Sequence, residues 1–311
     1  MSSDDAARQG GGLAAAALSS AAAVPLAAAL VSSRARRLDI RLLVIKGVVA
    51  ELHGIRAPRI YADVDVLVES SRFADLLTEL ASAGWHERGP VWVYKKISVH
   101  SLTLIHDDWP CDIDVHVRFP GFLADDDVVF EELWRRRTEL SIAGVDVVAA
   151  DEVGSSAILG LHSLRKPDNP RNISELAYLS DRLRGRVEVI DSLARVAAAT
   201  GSTQTLGPLL ESLAAPRVSG LPVSPKRLRA WRWRGTGSSR AGQWLTYLED
   251  VPWYLWPKEL ALVIWPPRDL YMQEHPSMPD STWALFRDRA RRIVTGAGDV
   301  LRMITGRGQR R

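Results

Sequence analysis

The chain has a single cysteine, Cys111. A lone thiol excludes an internal disulfide and fits a reducing compartment, so a cytoplasmic protein is expected. Within an apolar segment it reads as a small packed side chain. Net charge is scarce as well: 40 Lys and Arg against 37 Asp and Glu leave +3. That excess is too mild to argue a stable nucleic-acid complex. Long membrane-grade runs are also missing. The nearest candidate, Leu13 to Val31, is mostly alanine and serine, contains Pro25, and follows Asp4 and Asp5. Its basic residues, Arg34, Arg36 and Arg37, come after it, whereas a signal peptide carries them in front. Alanine inserts into membranes weakly compared with leucine. The segment is expected to be a soluble helix, broken or kinked near Pro25. No internal repeat is present.

What remains is an ordinary globular composition, 46% hydrophobic and 25% charged over 311 residues, enough for one large or two modest domains. The distinctive feature is acidic residues set into two apolar segments. One is Arg59-Ile60-Tyr61-Ala62-Asp63-Val64-Asp65-Val66-Leu67-Val68; the other is Cys111-Asp112-Ile113-Asp114-Val115-His116-Val117. Both read as β-strands from their β-branched content and period-2 alternation. Alternation puts Asp63 and Asp65 on one face of the first, and Asp112, Asp114 and His116 on one face of the second. If the strands are neighbours, three or four carboxylates converge. Crowded carboxylates repel unless a positive group lies between them, and hard cations such as Mg²⁺ are the usual occupants. Such an assembly suits in-line attack on a phosphate.

Along the chain, Leu42-Leu43-Val44-Ile45 predicts a buried strand running into a Lys46-Gly47 turn, with a helix from Val48 to His53 stopped by Gly54. A helix is expected over Arg72–Ala83, with antiparallel strands over Val91–Val99 and Ser101–Ile105. Asp125–Arg137 predicts a helix, and Val145–Val148 a short strand. After Asp151 the pattern turns mainly helical: Ser155–Arg165, Ile173–Leu183, 187–199 and 204–213. A linker carrying Pro216, Pro222 and Pro225 follows. Seven of the eleven tryptophans lie beyond residue 230. Ser281–Arg311 reads as a basic amphipathic helix with a break around Gly296–Gly298 and a Gly/Arg tail.

The order strand, Lys-Gly turn, helix, Asp-x-Asp strand and third acidic strand resembles the DNA polymerase β-like nucleotidyltransferase superfamily. It is closer still to a poorly characterised bacterial nucleotidyltransferase family. That family has an apolar strand ending in Lys-Gly, an Arg four residues before Asp-x-Asp, and a later Asp-x-His; here these are Ile45-Lys46-Gly47, Arg59 before Asp63-Val64-Asp65, and Asp114-Val115-His116. His162, the stretch from Leu176 to Asp181, and Trp265-Pro266-Pro267-Arg268-Asp269-Leu270-Tyr271 extend the likeness over roughly residues 13 to 275.

The resemblance implies a mixed α/β (α+β) fold: a polymerase-β-like core with a mixed sheet, an N-terminal helix pair and a C-terminal helical domain. The corresponding division is a disordered 1–12, helices in 13–37, the core in 38–150, a mainly helical 151–280, and the basic helix and tail in 281–311. It also implies transfer of a nucleoside monophosphate from an NTP, with ATP the expected donor, to an acceptor with release of pyrophosphate. Asp63, Asp65 and Asp114 would be the catalytic and metal-binding residues. Asp63 and Asp65 would hold two Mg²⁺ ions, or Mn²⁺ in their place, and Asp114 would bind metal on the nucleophile side and help deprotonate the acceptor. Gly47 would let the backbone approach the phosphates, while Lys46 and Arg59 would supply charge to them. His116 would lie behind the metals or bind nucleotide. The Gly-Ser pair of the wider superfamily is replaced here by Lys46-Gly47, as in the narrower family.

Each residue also has a plainer role open to it. Asp112 can be solvated, Lys46 can pair with a local carboxylate, and His116 and His162 can be packed structural histidines. Trp231-Arg232-Trp233-Arg234 can stack on bases or, as the composition favours, pack with snorkelling arginines. The C-terminal helix can dock on this protein or on a partner, with peripheral contact to an anionic membrane the less favoured choice. The acceptor is open among small molecule, peptide, protein and tRNA. The alternative class is a nucleotide-binding regulatory or assembly module that does not turn over.

Overall fold

The computed structural model describes residues 18–88, 101–235, 251–265, 267–268, 271–272 and 281–304. The strand expected over Val91–Val99, the expected disorder of residues 1–12, part of the Trp265–Tyr271 element and the tail beyond Ile304 lie outside the described residues.

Among the described residues, seven strands form one mixed sheet: β1 (Leu42–Ile45), β2 (Asp63–Val68), β3 (His86–Glu87), β4 (Ser101–His106), β5 (Trp109–His116), β6 (Thr138–Ile142) and β7 (Val145–Ala149). Their order across the sheet is β3-β4-β5-β2-β1-β7-β6. β2 runs antiparallel to β1 and parallel to β5, so the two acidic segments are immediate neighbours near the centre of the sheet. β6 and β7 form a hairpin; β6 is a strand that sequence reading does not find, because its alternating Thr138-Glu139-Leu140-Ser141 reads as polar surface.

The helix α1 (Ser20–Arg37) covers one face of the sheet. Ser19 caps it by accepting a hydrogen bond from the Ala22 N–H at 3.3 Å, and Arg34, Arg36 and Arg37 lie in its last turn, where cations suit the helix dipole. Ala23, Ala27, Ala28 and Val31 are fully or nearly fully buried. Small side chains let α1 lie close against Val44, Val66 and Val115, which explains its alanine content without a membrane. Among the described residues, no helix is long and apolar enough to cross a membrane. Of the break or kink expected near Pro25, the break is absent: α1 is a single helix through that position. The carbonyl that loses its partner there belongs to Ala21, which is exposed and open to water. Likewise, the helix Thr282–Ile304 continues through Gly296–Gly298, where the glycines predict a break. A helical glycine costs about 1 kcal/mol relative to alanine, too little to interrupt 23 residues.

The opposite face of the sheet carries Leu43, Ile45 and Leu67. Against it pack the helices Asp126–Arg135, Glu152–Leu164, Pro170–Leu183, Val187–Ala199 and Gly207–Ser212, through Phe130, Ile158, Leu161, Leu179, Leu193 and Leu209. Gly121, with φ at +106°, lets Leu161 and Trp231 close over the chain: a Cβ there would lie 2.6 Å and 2.9 Å from their side chains. Trp231 therefore serves packing. By alternation, Asp63, Asp65, Asp112, Asp114 and His116 share this helix-covered face, where the apolar pattern of the sheet gives way to charge.

Candidate active site

The register of β2 and β5 places Asp63 opposite Asp112 and Asp65 opposite Asp114. β1 delivers Lys46, since Ile45 pairs with Asp65 and Lys46 is the next residue. Lys46 leaves the strand with φ at 56°, unusual for a residue with a Cβ, and Gly47 follows with φ at 32°. This turn carries the Lys46 side chain back over the strand ends. Its ammonium forms an ion pair with Oδ1 of Asp65 and lies 5.4 Å from the centre of the Phe119 ring. His116 Nε2 stands 2.9 Å from the same Asp65 oxygen, while Nδ1 of His116 is buried and has no hydrogen-bond partner among the described residues. Thr103 donates to Asp114 at 2.5 Å.

The electrostatics separate the carboxylates. Asp65 is only 5% exposed. Burial works to raise its pKa, but the charge of Lys46 and the hydrogen bond from His116 outweigh it and hold Asp65 well below the usual carboxylate range. Asp63 is shifted the other way, by burial and by repulsion from Asp65, with Lys46 only partly offsetting them. One carboxylate is thus ionised against a fixed cation, and its neighbour is less acidic than usual.

Asp65, Asp114 and His116 form a group whose donor atoms all lie within 4.8 Å of one another. Two carboxylates and an imidazole on one face are a donor set able to hold a divalent cation. Asp63 lies on the same face but outside that group, and Asp112 is engaged by an ion pair from Arg88.

Arg59 lies in a charged cluster with Arg56 and Glu175. It donates to Glu175 at 2.5 Å, and Arg56, only 5% exposed, donates to the same carboxylate at 2.6 Å. Both guanidinium groups lie over the ring of Tyr61, at 5.2 Å and 5.8 Å. Glu175 belongs to the helix Pro170–Leu183, so this cluster ties that helix to the loop entering β2. Burial, with Lys46, Arg165 and Arg56 nearby, lowers the His162 pKa to about 3, leaving a neutral imidazole near the acidic group. Arg165 is half-buried within electrostatic reach of Asp65, and among the described residues nothing pairs with its guanidinium. Arg56, Arg165 and Glu175 escape a reading of the sequence. No local pattern marks them, because Arg56 and Glu175 are 119 residues apart.

No protein-family model and no curated protein matches the chain. Among solved structures, the antibiotic-resistance factor ANT(2'')-Ia is 13% identical, with a TM-score of 0.35 over 61% of this chain and 89% of that one. An antigenic nucleotidyltransferase-like protein from Paracoccidioides brasiliensis is 13% identical, with a TM-score of 0.36 over 63% and 94%. A tRNA-processing enzyme in an apo form is 13% identical, with a TM-score of 0.25 over 81% and 78%. Overlaps this loose leave the chemistry to be argued from the chain's own residues.

Proposed function

We propose that the chain is a metal-dependent nucleotidyltransferase with a polymerase-β-like core. It moves a nucleoside monophosphate from an NTP, ATP first, to an acceptor hydroxyl or phosphate and releases pyrophosphate. The observation that carries this reading is the β2–β5 register, which stacks Asp65 against Asp114 with His116 alongside and Lys46 at the adjacent turn.

Bound divalent cations, two in the full reading with Asp63 as a further ligand, would neutralise charge developing on the phosphates and acidify the acceptor hydroxyl. Asp65 is suited to hold a cation because it stays ionised. Asp114, oriented by Thr103, is the group that takes the acceptor proton. The acceptor oxygen then bonds to the α-phosphorus as the bond to the pyrophosphate oxygen breaks. Lys46 and the half-buried Arg165 are the cations best placed for the phosphates. Arg59 acts at one remove, by holding the loop before Asp63 against Glu175. The acceptor, whether small molecule, peptide, protein or tRNA, enters from the helix-covered side that the acidic face addresses.

The test is transfer of label from each α-labelled NTP, with Mg²⁺ or Mn²⁺ and a cell extract as acceptor source, comparing wild type with Asp65→Asn and Asp114→Asn. Metal-dependent transfer lost in both variants supports the reading. Metal-dependent NTP binding without any transfer would instead identify a nucleotide-binding module.

A further inference from the structure

Asp65 Oδ1 already has two partners, the ammonium of Lys46 and Nε2 of His116. Asp65 and His116 are also two of the three donors in the cation-binding group. Lys46 therefore places a positive charge against the carboxylate that a divalent ion would need. Its placement is specific. The Lys46 side chain is 13% exposed, the turn is held at positive φ, and Phe119 offers a ring face to the ammonium.

We propose that Lys46 and the divalent cation are alternative partners of Asp65. The cation enters only as the Lys46 ammonium leaves, and the nucleotide phosphates are where that ammonium goes. This inference rests on the nucleotidyltransferase reading, because the phosphates are the destination. Without nucleotide, Lys46 neutralises Asp65 and the cation is bound weakly. With nucleotide, Lys46 gains a second anionic partner and the cation gains a carboxylate released from the ammonium. Metal and nucleotide thus bind with positive coupling, each increasing the affinity of the other by the same factor. The strand-end position of Lys46 suits this exchange: a long, flexible stem on a turn can swing its ammonium without moving β1 or β2.

The test is Mn²⁺ binding, read by electron paramagnetic resonance, for wild type, Lys46→Gln and Arg182→Gln, with and without a non-hydrolysable ATP analogue. Arg182→Gln removes an exposed arginine of the helix Pro170–Leu183 that donates to the Gly54 carbonyl and does not touch Asp65, and so controls for the loss of one positive charge. The expected result is Mn²⁺ affinity about tenfold higher in Lys46→Gln than in wild type without nucleotide, with the tightening by the analogue largely abolished. Arg182→Gln should leave the nucleotide-free Mn²⁺ affinity within about twofold of wild type. If Lys46→Gln lowers the melting temperature, Mn²⁺ should raise it by more than in wild type, so a weakened variant still reports. Equal affinity in wild type and Lys46→Gln, or equal tightening in both, overturns the exchange. Label transfer stands apart from this result. A protein that shows the Lys46 dependence but transfers nothing keeps the exchange at the metal and loses the enzyme reading; one that transfers label without it keeps the enzyme and loses the exchange.

Discussion

Asp65 and Asp114 face each other across adjacent parallel strands, paired in the register that also sets Asp63 against Asp112. Their partners differ, a lysine for one and a threonine for the other, so the two carboxylates answer differently to substitution.

Replacing Asp65 with Asn removes the anionic partner of a mostly buried lysine. A buried ion pair broken on one side costs about 3 kcal/mol or more, because the remaining charge is stranded. We expect Asp65→Asn to lower the unfolding free energy by about that much in urea titrations. Asp114→Asn, whose partner is a threonine hydroxyl, should cost about 1 kcal/mol. Both should reduce nucleotidyl transfer by about 10³-fold or more. An Asp114→Asn variant with undiminished transfer would remove Asp114 from the chemistry.

An imidazole in the donor group selects among cations. Nitrogen ligands suit Mn²⁺ better than Mg²⁺, which prefers oxygen. Transfer should therefore be faster with Mn²⁺ than with Mg²⁺ in wild type. His116→Asp should narrow or reverse that preference, by about tenfold in the Mn²⁺/Mg²⁺ rate ratio. An unchanged ratio would leave His116 as a hydrogen-bond partner of Asp65 only.

His162 gives a pH signature. Its folded pKa is lowered to about 3, whereas the unfolded imidazole titrates near 6.5. Between those values the unfolded chain binds a proton that the folded chain refuses, so stability rises with pH across this window and falls as the solution is acidified. Between pH 7 and pH 5 the loss should be about 1–2 kcal/mol. Asp63, shifted upward, acts with the opposite sign. The difference between wild type and His162→Gln isolates the histidine, and equal pH slopes in the two proteins would contradict its buried neutral state.

Glu175 anchors Arg56 and Arg59 across 119 and 116 residues of sequence. Glu175→Gln strands Arg56, which is almost fully buried, and should cost about 3 kcal/mol in thermal or urea unfolding. Arg59→Gln, at a more exposed partner, should cost about 1 kcal/mol. Equal effects would contradict the larger cost assigned to stranding the buried Arg56.

Gly121 is the backbone counterpart. An alanine there must adopt φ of +106° and place its Cβ 2.6 Å from Leu161 and 2.9 Å from Trp231. Gly121→Ala should therefore destabilise the protein by about 2 kcal/mol or more by chemical denaturation, whereas Gly144→Ala, with open space around it, carries only backbone strain of about 1 kcal/mol.

Much of this fold is legible in the amino-acid sequence. A short apolar run marks Leu42–Ile45 as a strand, and period-2 alternation with β-branched residues marks Asp63–Val68 and the Asp112–His116 segment and assigns their acidic residues to a face. The helices after Asp151 are legible from their apolar spacing, and Lys46-Gly47 is legible as a turn because Gly47 tolerates the positive φ it adopts. β6 is not legible, since a polar alternation in a hairpin resembles a loop. The helix expected to be broken or kinked near Pro25 is not broken there, and the break expected at Gly296–Gly298 is absent, because local propensities of a few kcal/mol yield to continued helix.

The sequence by itself determined which residues could share a face, because that depends only on the two-residue repeat of an extended chain. The tertiary structure alone decided which faces meet. The parallel register of β2 with β5, the Lys46 charge on Asp65 rather than on another carboxylate, and the capture of Arg59 by Glu175 are pairings between distant segments. They depend on how helices and strands pack in three dimensions, and packing is a property of the whole chain that no short window of residues contains.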